Sequence, residues 1–177
     1  AVIPTHPHPD HNGCALELAQ RLGAPLLQWG HPLAQDEFLT DGEIKVQVKH
    51  MPGHVKAHIC LWLPKERLLF AGDLVAGSGT VVVIPPDGNM ADYLASLRAA
   101  QTLKPVAILP GHGPVIEQPV ELLQAYLDHR LKREREILGW VRRGVIDPQA
   151  IAAHIYGDRP EVEWVAILTI GASLQRS

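Results

Sequence analysis

The spacing of apolar and polar residues along the chain predicts a mixed α/β fold. Residues 44–49 alternate strictly between apolar and polar side chains, which is typical of a strand with one solvated face. Further strands are predicted at residues 25–29, 59–63, 67–71 and 106–109. Residues 59–63 and 67–71 are expected to form a hairpin around Pro64, since a short turn-forming stretch separates them. Residues 31–42 are polar and are predicted to be a loop, and residues 81–84 are either a short strand or an extended loop.

Helical periodicity predicts five helices. Apolar residues recur with helical spacing in residues 14–22, and Gly23 is a typical C-terminal stop. A second helix begins after Asn89 or Asp92 as the N-cap and ends near Leu103. A long helix and two short ones are predicted at residues 119–143, 148–156 and 161–174.

Composition fits a soluble globular chain of one domain, or of one domain with a small appendage. The 177 residues are 46% hydrophobic and 20% charged, with a formal net charge of −3. This mildly acidic balance argues against a surface that coats nucleic acid. No apolar run is long enough to cross a bilayer, so no membrane partner is expected.

The two cysteines of the chain indicate the cellular compartment in which the protein is expected. Cys14 and Cys60 give no disulfide framework, which favours a reducing, cytoplasmic location. Both are interpreted as small core residues rather than as ligands.

The C-terminal part carries a run of charges at residues 130–136. Because both signs are mixed there, we interpret the run, together with His129, as a solvated helix face rather than as a nucleic acid surface. The helix predicted at residues 161–174 begins with acidic residues that would repel phosphates. We therefore interpret the helices after Gly144 as a packing or dimerisation module, which makes a homodimer an expected partner arrangement.

A dense cluster of metal-ligand residue types follows Thr5. Three histidines and one aspartate fall within six positions, namely His6, His8, Asp10 and His11. Neutral imidazole and carboxylate are the ligands that zinc and similar divalent metals prefer. Side chains at positions i and i+2 of an extended segment point the same way, so His6 and His8 can share one metal. Asp10 and His11 lie further round the loop and can start a second site.

Three more residues of ligand type each directly follow a glycine near the end of a predicted strand. They are His54, Asp73 and His112. Binding groups are commonly found on loops that a rigid sheet holds in place. The combined pattern favours a metal site over the alternative of surface histidines in a Pro-rich loop.

In this order, the motifs H-x-H-x-D-H, P-G-H, G-D and P-G-H-G resemble those of the metallo-β-lactamase-fold hydrolases. The resemblance runs from the first residues to about Pro119, with all seven ligand positions present. From Gly72 to Ile116, and in the tail, the chain is similar to the β-lactamase-like protein 2 subgroup, whose members have nuclease or uncharacterised hydrolase activity. The resemblance implies an αββα sandwich at residues 1–118 and a helical, winged-helix-like appendage at residues 119–177.

The same resemblance implies how the ligands are shared. One zinc ion would be held by His6, His8 and His54, and the other by Asp10, His11 and His112, with Asp73 bridging the two. Two Zn²⁺ ions are thus the implied cofactors, with Mn²⁺ or Fe²⁺ as alternatives.

The implied nucleophile is a hydroxide between the two metals, because coordination lowers the pKa of water from 15.7 to about 7. Asp10 is expected to hydrogen-bond the attacking water. His58, four residues after His54, is interpreted as a catalytic candidate that either supports a ligand or faces the substrate. The alternative, that His58 only begins a strand, stays open.

An aspartate at position 73 resembles the phosphodiesterase, glyoxalase II and nuclease branches of the superfamily. We therefore expect a dinuclear zinc hydrolase of phosphodiesters, with a small molecule or single-stranded RNA as the substrate. The alternatives are a thioesterase of the glyoxalase II kind and a non-catalytic metal-binding fragment. The sequence identifies no substrate-binding residues.

Few residues precede the first histidine motif. In the resembled fold several strands come before that motif, whereas here only four residues precede Thr5. The resemblance therefore implies either a fragment that lacks most of the N-terminal half of the sandwich or an unusually truncated member of the family. We favour the fragment, which could be inactive on its own.

Overall fold

We describe a computed structural model that covers residues 1–157, Ile167 and Ile170. Its helices are α1 (Pro9–Asn12), α2 (Ala15–Leu22), α3 (Met90–Thr102), α4 (Pro119–Val141) and α5 (Pro148–Tyr156). Its strands are β1 (Gln28–Trp29), β2 (Pro32–Leu33), β3 (Phe38–Asp41), β4 (Ile44–His50), β5 (Ile59–Leu63), β6 (Leu68–Gly72) and β7 (Ala107–Pro110).

A five-stranded mixed sheet organises the chain. The strand order is β3-β4-β5-β6-β7, antiparallel from β3 to β6 and parallel between β6 and β7. Because β6 and β7 are parallel, both end at the same edge of the sheet, and α3 lies in the connection between them. β1 and β2 form a separate parallel pair.

The main core lies between one face of this sheet and helices α3 and α4. From the sheet it takes residues such as Cys60, Trp62 and Ile108, all buried. From α3 it takes Tyr93, Leu94, Leu97 and Ala100, which are also buried. Burying this apolar surface is the main favourable contribution to the stability of the fold.

The opposite face of the sheet carries a smaller cluster. Val48 and Ile59 are fully buried there with Leu33, and Trp29 and Leu61 pack around them. Alternate residues of β5 therefore point to the two faces, as the period of a strand requires.

Helix ends follow the predicted signals in two places. The side chain of Asn89 accepts hydrogen bonds from the backbone N–H groups of Ala91 and Asp92, so Asn89 is the N-cap of α3. Gly23 ends α2 in the left-handed conformation, with φ +58°.

The prediction of a loop at residues 31–42 was wrong in part. The region contains β2 and β3, and β3 pairs with β4 through a hairpin in which Asp41 lies opposite Ile44. The two turn residues are Gly42 and Glu43, and a glycine with positive φ, here +59°, at the first of them is typical of a tight hairpin. The polar side chains are explained by exposure, since β3 is an edge strand.

Two more strand predictions and one prediction about cysteine burial differ from the structure or are made more exact by it. The strand expected at residues 25–29 is limited to β1, and residues 81–84 form no strand, which leaves them as an extended loop. Cys14 is exposed rather than part of the core, whereas Cys60 is buried as predicted.

Part of the charged run on α4 is not solvated, contrary to prediction. Arg130 is only 9% exposed. It follows Leu123 and Leu127 at helical spacing, so it lies on the stripe of α4 that faces the core. His129 is exposed as predicted.

The C-terminal region has its own small apolar cluster, in which Ile137 of α4 packs near Ile151 of α5. The helix predicted at residues 148–156 is confirmed as α5. The helix predicted at residues 161–174 lies outside the described residues, apart from Ile167 and Ile170. None of the helices in the described part of the chain has the length and apolar character needed to span a bilayer.

Candidate metal centre

All seven predicted ligands meet at one edge of the sheet. They come from four places: the segment that leads into α1 together with α1 itself, the loop after β4, the end of β6 and the end of β7. Their ligand atoms form two groups, and within each group all atoms lie within 4.8 Å of one another. We call His6, His8, His54 and Asp73 the inner cluster, and Asp10, His11 and His112 the outer cluster.

The inner cluster is a set of three imidazoles and one carboxylate. His8 Nδ1 lies 3.0 Å from His6 Nε2 and 3.1 Å from His54 Nε2. Asp73 Oδ2 lies 3.6 Å from His54 Nε2 and 3.9 Å from His6 Nε2. The four ligand atoms therefore surround a single small volume.

The outer cluster is arranged in the same way but is more exposed. His11 Nε2 lies 3.1 Å from His112 Nε2. Asp10 Oδ2 lies 3.3 Å from His112 Nε2 and 3.7 Å from His11 Nε2. The short helix α1 begins with Pro9, a residue that suits the first turn of a helix. This helix places Asp10 and His11 on the outer side of the site.

Asp73 lies between the two clusters. Its Oδ2 atom faces the inner cluster, whereas its Oδ1 atom lies 3.3 Å from His11 Nε2 and 3.6 Å from His112 Nε2. One carboxylate oxygen is thus directed towards each cluster, as the predicted bridging role requires. The assignment of ligands to metals itself stays a prediction.

The donor sets fit zinc. With ligand bonds of about 2.0–2.2 Å, the ligand atoms of a tetrahedral zinc ion lie roughly 3.4 Å apart. The N···N and N···O separations quoted above run from 3.0 to 3.9 Å in the inner cluster and from 3.1 to 3.7 Å in the outer cluster. Both ranges bracket that spacing.

The protonation state of the inner histidines also suits a metal. Burial lowers the pKa of His6 to about 2, and the neighbouring His58 and His11 contribute to the decrease. The pKa of His54 is lowered as well, again mainly by burial. Both imidazoles are therefore neutral near pH 7, which is the form that binds metals.

Two of the inner ligands, His6 and His54, are each held by a contact on the far side of the ring. The second ring nitrogen of His6, Nδ1, lies 3.0 Å from Thr5 Oγ1. His54 Nδ1 lies 2.6 Å from the carbonyl oxygen of Val82. Hydrogen bonds of this kind fix the orientation and tautomer of a ligating histidine.

His58 lies behind the site, fully buried. Its Nε2 atom accepts a hydrogen bond of 3.0 Å from the backbone N–H of Asp73. Burial lowers the pKa of His58 to about 3, so the ring is neutral. This placement favours the interpretation that His58 supports a ligand over the interpretation that it faces a substrate, and its catalytic role stays a prediction.

Asp10, the other catalytic candidate, lies at the open rim. Its side chain is 59% exposed, and that of His112 is 54% exposed. The outer cluster is therefore on the solvent-exposed side of the site.

Two glycines allow the close packing of the site. A Cβ atom at Gly111 would lie 2.5 Å from His11 Cε1 and 2.7 Å from Asp73 Oδ1. A Cβ atom at Gly72, where φ is +48°, would lie 2.6 Å from Thr5 Oγ1. Side chains at these positions would displace the ligands or their supports.

Sequence reasoning missed one support of the site, the Val82 carbonyl, and left open which role His58 has. A backbone carbonyl leaves no signal in the sequence. The spacing of His58 from His54 suggested a role, but only the fold shows which group it contacts.

Comparison with known proteins relates the chain to a hydrolase superfamily. The sequence model of the metallo-beta-lactamase superfamily matches residues 27–112. A beta-lactamase-like protein 2 homolog of Drosophila melanogaster is 39% identical over 140 residues, which cover 77% of this chain and 46% of that protein. An atrochrysone carboxyl ACP thioesterase of Aspergillus fumigatus is 33% identical over 147 residues, which cover 77% of this chain and 45% of that protein. The chain thus spans less than half the length of these relatives.

A solved structure shares the fold. A beta-lactamase domain protein from Burkholderia ambifaria superposes with a TM-score of 0.74 over 98% of this chain and 66% of that chain, at 20% identity. The mixed sheet with its C-terminal helices is therefore an α/β arrangement of the metallo-β-lactamase type, as predicted.

Proposed function

Because the chain belongs to the metallo-β-lactamase superfamily, we propose that it forms the metal-binding part of a dinuclear zinc hydrolase that acts on phosphodiesters, with single-stranded RNA as the preferred substrate. The observation that carries the proposal is the position of Asp73, with one carboxylate oxygen directed towards each cluster. A shared carboxylate is what a two-metal site needs to hold its ions at a short, fixed distance.

The two clusters would hold one zinc ion each, with Mn²⁺ or Fe²⁺ as alternatives. Bound metal would supply an activated water and would polarise the scissile phosphoryl group. Asp10 is exposed at the rim, where its carboxylate can accept a hydrogen bond from the attacking water. His58 holds the backbone of Asp73 and so fixes the bridging carboxylate.

A thioesterase is the second candidate, and two observations favour it. One relative with 33% identity is named as an acyl carrier protein thioesterase. In addition, the surface carries an apolar groove of about 390 Å³. This groove lies next to the loop of His112, because Gly77, one of its lining residues, donates its backbone N–H to the His112 carbonyl. The groove is lined further by Val115, Ile116 and Leu122, which suit an acyl chain better than a phosphate.

The test compares substrates on one metal-loaded preparation. Intact protein is stripped of metal, reconstituted with Zn²⁺ or Mn²⁺, and assayed on a chromogenic phosphodiester, a single-stranded RNA and an acyl thioester. Elemental analysis is expected to give about two metal ions per chain. Faster turnover of the phosphodiester and RNA supports the leading proposal, whereas turnover of the thioester alone supports the second candidate.

Two negative results would overturn the proposal. Absence of metal after reconstitution would refute the zinc site. Two bound metals with no turnover of any substrate would favour a non-catalytic metal-binding role. His31→Ala controls for the loss of a histidine that is not a ligand, and it should keep the metal content and the turnover of the wild type. His31 is exposed between β1 and β2 and is not one of the seven ligands.

We also propose a cytoplasmic location and a homodimer. Neither Cys14 nor Cys60 forms a disulfide, which suits a reducing compartment. Cell fractionation and light scattering of the intact protein test these two proposals.

A further inference from the structure

The orientation of His54 depends on a single backbone carbonyl. His54 presents Nε2 to the inner cluster, and its other ring nitrogen, Nδ1, lies 2.6 Å from the Val82 oxygen. In that arrangement Nδ1–H is the donor, and Nε2 carries the lone pair that binds a metal. If the Val82 carbonyl moved, both the tautomer and the direction of the ring would change.

Val82 belongs to the segment between β6 and α3, residues 73–89, which contains no helix or strand and starts at Asp73. The middle of the segment, residues 78–80, is exposed. Leu74, Val75, Val81 and Val83 bury their side chains in the main core, and hydrogen bonds from elsewhere in the molecule anchor the backbone of the segment.

Side chains of α3 and α4 supply these anchors. Tyr93 Oη donates a hydrogen bond of 2.8 Å to the Leu74 carbonyl. Tyr126 Oη accepts one of 3.2 Å from the Ala76 N–H. These two contacts hold the half of the segment next to Asp73, but neither reaches Val82.

Arg130 of α4 holds the part of the segment next to Val82. Its Nη2 atom donates to the Val81 carbonyl and lies 3.2 Å from Thr80 Oγ1. Its guanidinium carbon lies 5.4 Å from the centre of the Tyr93 ring, a cation–π contact. Arg130 thus fixes Val81, which directly precedes Val82, the residue whose carbonyl orients His54.

Burying a guanidinium group is costly unless its donors are satisfied. An apolar side chain at this position of the α4 stripe would pack against the core without that cost. A single nitrogen of the guanidinium group, Nη2, instead reaches the Thr80 hydroxyl and the Val81 carbonyl together, and it stands further from the backbone than the ammonium group of the shorter lysine side chain.

We propose that Arg130 is a positioning residue for the inner metal site, acting through residues 80–82 to present the imidazole of His54. This inference rests on the proposed function as far as metal binding is concerned. The orientation of His54 in the metal-free protein does not depend on it.

The first test measures the tautomer of the His54 imidazole directly. Imidazole ¹⁵N spectra of the metal-free protein at pH 8 are compared for wild type, Arg130→Met and Arg130→Lys. In the wild type, His54 is expected to be in the Nδ1–H tautomer alone. Arg130→Met is expected to give a mixture of tautomers, and Arg130→Lys an intermediate spectrum.

Arg133→Met is the matched control. Arg133 lies one turn further along α4, where it contacts Glu136 and the ring of Tyr156 rather than residues 80–82. This variant should leave the His54 tautomer unchanged. A change as large as that in Arg130→Met would mean that the effect is one of general helix stability, and would overturn the proposal.

The second test measures metal affinity at the inner cluster alone. Co²⁺ is titrated by visible absorbance against a competing chelator in a His112→Ala background, which removes an outer ligand. Arg130→Met is expected to weaken the remaining Co²⁺ site by about 10–100-fold, the usual effect of losing a support of a metal ligand. Arg130→Lys should recover part of the loss.

The two proposals fail in different ways. If the wild type binds no Co²⁺, the proposed function is wrong, while the tautomer of His54 still decides the role of Arg130. If Arg130→Met keeps the wild-type tautomer and Co²⁺ affinity, the role of Arg130 is refuted. If Arg130→Met does not fold, Arg130→Lys decides. A wild-type tautomer of His54 and a wild-type Co²⁺ affinity in Arg130→Lys would then refute the role of Arg130.

Discussion

The inner and outer clusters use the same ligand types but are built differently. The side chain of His6 is fully buried, whereas those of Asp10 and His112 are more than half exposed. In the inner cluster His6 and His54 have partners behind their rings, Thr5 and the Val82 carbonyl. For the side chains of Asp10 and His112, the contacts found in the described part of the chain are with other ligands.

This difference indicates a division of roles. Ligands that are buried and supported are held in place before metal binds, so binding costs them little conformational entropy. Exposed ligands without such supports must be ordered by the metal itself. We therefore expect a tight inner site and a weaker outer site that also admits the substrate.

The largest expected effect comes from the residue that both clusters share. Asp73→Ala removes the carboxylate between them, so the spacing of both metals should be lost. Turnover of a phosphodiester should fall by more than about 100-fold, beyond the usual effect of losing a mere support. Metal stoichiometry and hydrolysis are measured together, with Asp73→Asn as a variant of equal size. Full activity in Asp73→Ala would overturn the two-metal mechanism.

A pair of single-ligand variants tests the contrast between the sites. His112→Ala should leave about one metal per chain, retained in the inner cluster. His54→Ala should weaken the tighter of the two sites instead. Elemental analysis after dialysis against a graded series of chelator concentrations distinguishes the two. Equal loss in both variants would mean that the clusters do not differ in affinity.

A glycine substitution should disturb the outer cluster more gently. Gly111→Ala would bring a Cβ atom within 2.5 Å of His11 Cε1, so that ring must shift. We expect the outer site to weaken by roughly 10-fold, in the range seen when the supports of metal ligands are lost. Gly139→Ala is the control, because no atom lies within 4 Å of a Cβ atom built there. Isothermal titration with Zn²⁺ measures both, and equal affinities would show that the loop at Gly111 gives way freely.

The smallest effect concerns the stability of the metal-free protein. The folded-state pKa of His58 is about 3, against 6.5 for the unfolded chain. Below pH 6.5 the unfolded chain therefore binds a proton that the folded state does not, and stability is lost as pH falls from 6.5 towards 3. Between pH 7.5 and 5.5 this histidine alone should lower the free energy of unfolding by about 1.4 kcal/mol.

Urea denaturation at the two pH values measures this change. His58→Gln offers an amide that does not titrate, so its stability should depend less steeply on pH than that of the wild type. An identical slope in the two proteins would show that His58 does not contribute to the pH dependence.

Local sequence determined most of the regular elements, β2 and β3 excepted, and the identity of the ligand candidates. The alternation of residues 44–49 predicts β4, and Asn89 caps α3 through its own side chain. In such cases the relevant contacts are made between residues close in sequence, so a pattern records them. The seven ligand types are recognisable for the same reason, since each stands in a short motif.

The tertiary structure decided how those residues are used. The two oxygens of Asp73 face different clusters only because β6 and β7 end at the same edge of the sheet as the loop after β4. The sequence could not show that Arg130 is buried, that His58 holds the Asp73 backbone, or that the Val82 carbonyl orients His54. Each of these contacts joins residues at least 15 positions apart, through a backbone group or a buried face. Their energies depend on distance and burial, which arise only when the sheet and its helices pack together.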